Sequence, residues 1–502
     1  MVTFKIAAIF KDNMVLQRNK KISIWGTGTS NSKITARIND NLSTTKVDKD
    51  GNWILHLNKM SEGGPYILSI TDKTTDINLS NVMIGEVWFA SGQSNMDMEL
   101  INSLNGKEEL KNINPHIRYY YTPKITYFEN DFENIEEQSV WEDSTSKYTW
   151  RWSAVAYYFA KKLAEKLNIT IAIIGCAYGG TSASVWVNKE TLNNSKLKAY
   201  LDDYNSILNS KTEDEYLNEL NLHNERKMNW DKKCSELKFK NPLISYNEIV
   251  NIIGDEPWCP PMGFKSPFRP CGLYETMLKR VCPYTIQGFI YYQGEGDDQN
   301  PHLYQELLTS LIKSWRKEWK DDNLPFIFVQ LPMYMEENQQ DFKHWCLIRE
   351  AQLKTYLKEY NVGIANAIDL GELNNIHPVN KKPVGERLAS QALYLAYKYD
   401  IDENGPMYRS HKIHNNYIEI TFNYAENGFL IKGEFIKGFE IAGQDKIFFP
   451  AQAIAKGDKI RLSSEHVSNP KYARYLWYNY YPEITLYNNI GFPAFPFRTY
   501  SD

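Results

Sequence analysis

The chain has 502 residues, 24% charged and 42% hydrophobic, which suits two or three domains with a sizeable core and excludes a disordered chain. A net charge of −4 with no basic stripe argues against a nucleic-acid partner. No stretch approaches the roughly 20 apolar residues of a membrane span, so none is expected. The 34 Tyr and 13 Trp suit sugar binding, because flat rings stack on pyranose faces, and suit a tyrosine-rich core equally well.

The six cysteines form no C-x-x-C pair and read as free, mostly buried thiols. A Cys259–Cys271 bridge is open only to an exported chain. The N-terminal apolar run is short and has no A-x-A site, so the sequence as given reads as cytoplasmic; a secreted or periplasmic form would require a trimmed leader. No cofactor and no metal are expected, and oligomeric state is not legible.

Residues 1–84 read as a small β-sandwich domain. Alternating runs at Lys21–Trp25, Ile34–Ile38 and Tyr66–Thr71 are separated by turns such as Asp50-Gly51-Asn52 and Gly63-Gly64-Pro65. From residue 85 to about 400 the rhythm changes to strands alternating with helices, which predicts a parallel α/β sheet with helices on both faces. Val87–Ala90 reads as a buried strand that stops at Ser91-Gly92 and leads to Gln93-Ser94-Asn95-Met96. Ser153 is a plausible N-cap for a helix over Ala154–Leu167, whose Val155, Phe159 and Leu163 recur at helical spacing. Strands are expected at Ile169–Ile174, Ile286–Tyr292, Phe326–Leu331 and Val362–Leu370. Helices are expected at His302–Trp319, Trp345–Lys358 and Val384–Tyr397. An insertion interrupts the pattern: 195–240 is charged and helical, and 241–283 is a Pro- and Gly-rich loop with Trp258, Phe264 and Phe268. It reads equally as a lid or substrate wall and as a packing or dimer element. From 401 to 502 the patterning returns to β.

Ser94, Gly179-Gly180-Thr181, Gln293-Gly294-Glu295 and the segment Asp369–His377 each follow a predicted parallel strand. In an open α/β sheet such ends converge on one crevice, which would gather clusters spread over about 280 residues of chain. A serine on a tight turn has the geometry of a nucleophile, though an isolated G-x-S more often caps a helix. Gly180 lets its N–H approach an oxyanion closely, Gln293 offers an amide donor, and His377 is the candidate base. A lone histidine is more often a core or surface residue, and only its place after the last strand separates His377 from the other eight.

These residues lie in motifs that resemble the sialate O-acetylesterase-like carbohydrate esterases of the SGNH-hydrolase superfamily. In family order they are Met14-Val15-Leu16-Gln17-Arg18, Gly85-Glu86-Val87-Trp88, Gly92-Gln93-Ser94-Asn95-Met96, Gly179-Gly180-Thr181 with Trp186, Tyr292-Gln293-Gly294-Glu295, Arg349-Glu350-Ala351-Gln352, Asp369-Leu370-Gly371, Ile376-His377-Pro378 and Gly385-Glu386-Arg387-Leu388-Ala389. The resemblance implies a flavodoxin-like three-layer catalytic domain and metal-free serine chemistry that removes O-acetyl groups from sugars or glycans, 9-O-acetylated sialic acid first and acetylated xylan or mannan as the alternative. It implies Ser94 as nucleophile, His377 as base, and Ser94, Gly180 and Gln293 in the oxyanion hole. Gln93, Trp186 and Glu295 are expected at the substrate, although Trp186 reads equally as core and Glu295 as half of a buried pair with Arg349.

One departure stands out. The superfamily's acid lies two or three residues before the histidine, where this chain has Asn375 and Asn374. Orientation of His377 then falls to a backbone or Asn carbonyl, to Asp369, or to Glu372. The same departure motivates a second reading, a carbohydrate-binding protein without catalysis. A lipase-type esterase is a third, weakened by the charge of the 195–240 segment.

Overall fold

The computed structural model describes residues 4–500, and they divide into two compact units. One runs through Tyr291 and takes in Ser310–Phe326; the other holds Tyr292–Thr309 and the chain from Ile327 on.

In the first unit, one-sided alternation of buried and exposed residues makes the N-terminal strands Lys33–Ile38 and Asn52–Leu57. Lys5–Ile6, Ile22–Thr27 and Asn52–Leu57 form one antiparallel sheet. Lys33–Ile38, Asn41–Lys46 and Gly63–Thr71 belong to another, which continues into Asp76–Gly92, a strand of 17 residues. The early part of that strand alternates in burial, and from Ile84 onward every residue is buried. Its far end pairs in parallel with Ile171–Ala177, from Glu86 opposite Ile171 to Gly92 opposite Ala177. The boundary expected at 84/85 therefore falls inside a continuous strand, and the N-terminal β region shares that strand with the central sheet.

The central strands follow the order Trp141–Glu142, Ile117–Tyr121, Ile171–Ala177, Asp76–Gly92, Gly288–Tyr292. Ile117–Tyr121 is parallel to Ile171–Ala177, and Trp141–Glu142 is antiparallel at the edge. The sheet is mixed, whereas the sequence predicted a parallel one: the alternation with helices is real, but it does not report the antiparallel edge or the hairpins feeding in from the N-terminus. The helix Ala154–Leu167 begins where expected, with the Ser153 hydroxyl accepting from the Ala156 N–H at 3.1 Å.

The insertion folds into helices Lys198–Asn209, Glu213–Lys240 and Tyr246–Ile253, the second opened by a capping box between Thr212 and Glu215. Glu213–Lys240 buries only Tyr216, His223 and Trp230, so its charged faces are solvated. All six cysteines are free; Cys259 is exposed and Cys271 buried.

In the second unit, which takes the strand Phe326–Gln330 from Ile327 on, that strand and Val362–Asn366 lie side by side with every residue buried. From Met407 the chain forms two four-stranded sheets whose inner residues, among them Ile420, Phe422, Ile441, Leu462 and Phe497, make one core together with Met333 and Ile368. The C-terminal β region thus shares its core with the segments before 401. Among the described residues no helix is long and apolar enough to cross a membrane.

Candidate active site

Four of the predicted residues lie in the first unit. The strand Asp76–Gly92 hands the chain through extended Gln93 to the single helical turn Ser94–Asp97. The Gln93 carbonyl accepts from the N–H groups of Met96 and Asp97, each at 2.9 Å. The Ser153 hydroxyl donates to the Met96 carbonyl at 2.5 Å, tying this turn to the helix that Ser153 caps. Ser94 is half-buried between buried Gln93 and Asn95, so its side chain reaches the surface from a fixed backbone.

The adjacent parallel strand supplies the second element. Ile171–Ala177 ends level with Gly92, and the Tyr178 N–H donates to the Gly92 carbonyl at 3.1 Å. A Cβ built on Gly179 would lie 3.5 Å from the Ser94 Cβ, so the Gly-Gly turn runs directly beside the serine. The Thr181 hydroxyl donates to the Tyr178 carbonyl at 2.8 Å and accepts the Trp186 indole N–H at 3.3 Å. Trp186 is 0% exposed, and its carbonyl accepts the Trp315 indole N–H at 2.8 Å. Of the two readings of Trp186, substrate contact and core, its complete burial favours the core, where its indole holds Thr181 of the turn. Gln93 is buried too, and its carbonyl anchors the turn that carries Ser94.

The remaining predicted residues lie in the second unit. The side-chain amide of Gln293 is held at both ends, donating to Asp297 at 2.6 Å and accepting from the Tyr304 hydroxyl at 2.9 Å. Gln352 donates to the Gln293 carbonyl at 3.1 Å. Glu295 is buried, and its charge acts on Lys381. Arg349 directs its bonds elsewhere than to Glu295: the buried guanidinium donates to the Tyr478 carbonyl and to the Cys346 sulfur.

The two asparagines at the expected acid positions build the histidine loop. Asn374 takes a left-handed conformation, φ 62°, and its side chain accepts the Glu337 N–H. Asn375 accepts the His377 backbone N–H at 3.0 Å and donates to Glu372 at 2.7 Å. The other oxygen of Glu372 accepts the Val379 N–H at 3.1 Å. One carboxylate therefore clamps the loop on both sides of His377.

Burial, reinforced by the Lys381 charge, lowers the His377 pKa to about 4, so the imidazole is neutral at physiological pH. Lys381 is 1% exposed, with its ammonium 5.3 Å from the Tyr292 ring centroid. Burial lowers its pKa to about 7 against the opposing pull of Glu295 and Glu372. No sequence pattern singles it out, since Lys381-Lys382 before a helix reads as two solvated charges. Asp369, an expected catalytic acid, instead grips Arg387 with both oxygens, at 2.6 and 2.9 Å, while Arg387 also donates to the Asn366 carbonyl. It anchors the helix Lys382–Leu395 to the strand Val362–Asn366. Among the described residues, no group of three or more His, Cys, Asp and Glu side chains is arranged to hold a metal ion.

Residues 262–394 match the SASA family model, a carbohydrate esterase, sialic acid-specific acetylesterase. The sialate O-acetylesterase of Mus musculus is 26% identical over 443 residues, 81% of this chain and 76% of its own. That of Homo sapiens is 24% identical over 443 residues, 81% of this chain and 74% of its own. The crystal structure of a carbohydrate acetylesterase from Xanthomonas citri matches with a TM-score of 0.81 at 26% identity, covering 99% of this chain and 100% of that one. The resemblance read from the sequence motifs to sialate O-acetylesterase-like carbohydrate esterases is borne out, and the mixed α/β architecture with β-rich regions is that of a solved member of this chemistry.

Proposed function

We propose that this chain is a serine esterase that removes O-acetyl groups from sugars, built on the flavodoxin-like α/β/α domain of the SGNH hydrolases. The observation that carries the reading is the Ser94 turn, which reaches the surface at the end of a buried strand with the Gly179-Gly180 backbone alongside. Gln93, not Ser94, holds the N-cap position of the turn Ser94–Asp97, so the serine stands inside the turn and not at the place a capping residue takes.

Ser94 Oγ attacks the acetyl carbonyl carbon as His377 accepts its proton, and the carbonyl oxygen becomes an oxyanion. The N–H groups of Ser94 and Gly180 and the amide of Gln293 are assigned as its donors; losing one such donor typically costs about 100- to 1,000-fold in rate. Collapse of the intermediate breaks the C–O bond to the sugar, whose oxygen takes the proton from His377. A water molecule, deprotonated by His377, then attacks the acetyl-enzyme; collapse breaks the C–Oγ bond, His377 returns the proton to Ser94 Oγ, and acetate leaves. Asp369 is assigned to holding Arg387, and Glu372, through Asn375, to holding the histidine loop. The relatives named sialate O-acetylesterases make 9-O-acetylated sialic acid the first substrate to try.

Ser94→Ala should abolish acetate release from O-acetylated sialosides, xylan and mannan, and from p-nitrophenyl acetate, while leaving the melting temperature unchanged. Full activity in that variant would overturn the reading.

A further inference from the structure

The Gly179-Gly180 turn has a second neighbour besides Ser94. The position a Gly179 Cβ would take lies 3.5 Å from the Ser94 Cβ and 4.0 Å from Cη2 of Trp258. At Gly180 the indole is closer still: a Cβ there would fall 2.4 Å from Cζ2 and 3.1 Å from Cη2 of Trp258, and 3.4 Å from Cε1 of Phe268. Gly180 has φ +68°, so conformation and space both require glycine here. The insertion therefore lays the edge of an indole on the same backbone that flanks the serine.

That indole is held but not buried. Phe268 meets it edge-on with centroids 5.4 Å apart, and Tyr178 meets Phe268 at 6.4 Å. Even so, Trp258 is 61% exposed. Charged pairs lie close by. Lys124 is bridged to Asp97 at 2.5 Å and stands 5.7 Å from the Tyr178 ring centroid; Lys227 is bridged to Glu256 at 3.2 Å, two residues before Trp258. A pinned flat apolar face among hydrogen-bonding groups, beside the serine, matches the two surfaces of a pyranose: its C–H face and its equatorial hydroxyls.

We propose that Trp258 seats the sugar: the saccharide ring bearing the scissile acetyl lies with its C–H face on the indole, which fixes where the ester stands relative to Ser94. This rests on the sugar-deacetylation reading above. The residue acts on the sugar and not on the acetyl, so an ester without a ring gains nothing from it.

The test compares Trp258→Ala and Trp258→Phe with wild type on two substrates. One is whichever of 9-O-acetyl sialoside, acetylated xylo-oligosaccharide and acetylated manno-oligosaccharide the wild type cleaves fastest; the other is vinyl acetate, which has no ring to stack. Trp258→Ala should raise KM for the sugar about tenfold, the usual scale for truncating an aromatic anchor, and leave kcat/KM for vinyl acetate within about twofold. Trp258→Phe should recover most of the sugar KM. An unchanged sugar KM overturns the proposal. So does an equal loss on both substrates, which would mean the indole serves only to hold the Gly180 backbone. If the wild type cleaves vinyl acetate in a Ser94-dependent way but none of the three sugars, the sugar reading fails and the seat with it. That failure shows in the wild type, whereas failure of the seat alone shows only in the variants.

Discussion

Lys381→Met keeps an unbranched stem over Tyr292 and removes the buried charge that acts on His377. In the wild type, burial first and Lys381 second hold His377 at about 4, against an ordinary 6.5. A histidine serves as base only when neutral, so the acid limb of kcat/KM follows its pKa. With the ammonium gone, the smaller of the two causes that hold His377 down is removed. The limb therefore moves upward, but only part of the way from about 4 to 6.5, because burial is the larger cause and it stays. A rise to about 5 would lower the neutral fraction at pH 5 from about nine-tenths to about a half, a rate loss of roughly twofold. Lys381 itself titrates at about 7, so above about pH 8 it is mostly neutral in the wild type and the two proteins should converge. Initial rates on p-nitrophenyl acetate from about pH 4 to 8 make the comparison. An acid limb that stays put or moves down refutes the electrostatic account; a deficit that persists at pH 8 points to lost packing instead.

Two further substitutions separate structure from chemistry. Asp369→Asn leaves the buried Arg387 guanidinium without its carboxylate, so denaturant unfolding should show a loss of about 3 to 5 kcal/mol with kcat of the folded protein unchanged; a fall in kcat without a loss of stability would return Asp369 to the catalytic set. Glu372→Ala releases the Val379 N–H and the Asn375 amide together, so kcat should fall while KM for vinyl acetate holds, with partial recovery in Glu372→Gln. An unaltered kcat would show that the clamp does not position His377.

What the sequence conveyed was periodicity and punctuation. The helix Ala154–Leu167 was legible to the residue because a capping serine and an apolar stripe agree, and the structure closes it on a left-handed Asn168. The Ser94 turn was legible from a buried run meeting glycine. The strand Asp76–Gly92 was not legible as one element, because its early part is exposed on one side and its later part on neither, and that change in period looks like a domain boundary. Side-chain commitments were equally hidden. Asp369 sits where a catalytic acid could sit, and only its distance to Arg387 shows it occupied. Trp186 follows a loop and Trp258 lies in one, and nothing in the sequence tells which is buried; packing seals the first and exposes the second.

The unbroken run of Asp76–Gly92 has a consequence for how this protein can be divided. Residues Asp76–Ile84 are hydrogen-bonded into the N-terminal hairpin through Gly63–Thr71, and Glu86–Gly92 into the central sheet through Ile171–Ala177. Fraying of that hairpin would pass along a single backbone to the turn that carries Ser94. The N-terminal region is therefore not a detachable accessory. Protease nicking near Gly63-Gly64, or a truncation begun at residue 85, should weaken the serine turn as much as the β region itself, which makes the first eighty residues part of the same cooperative folding unit as the nucleophile.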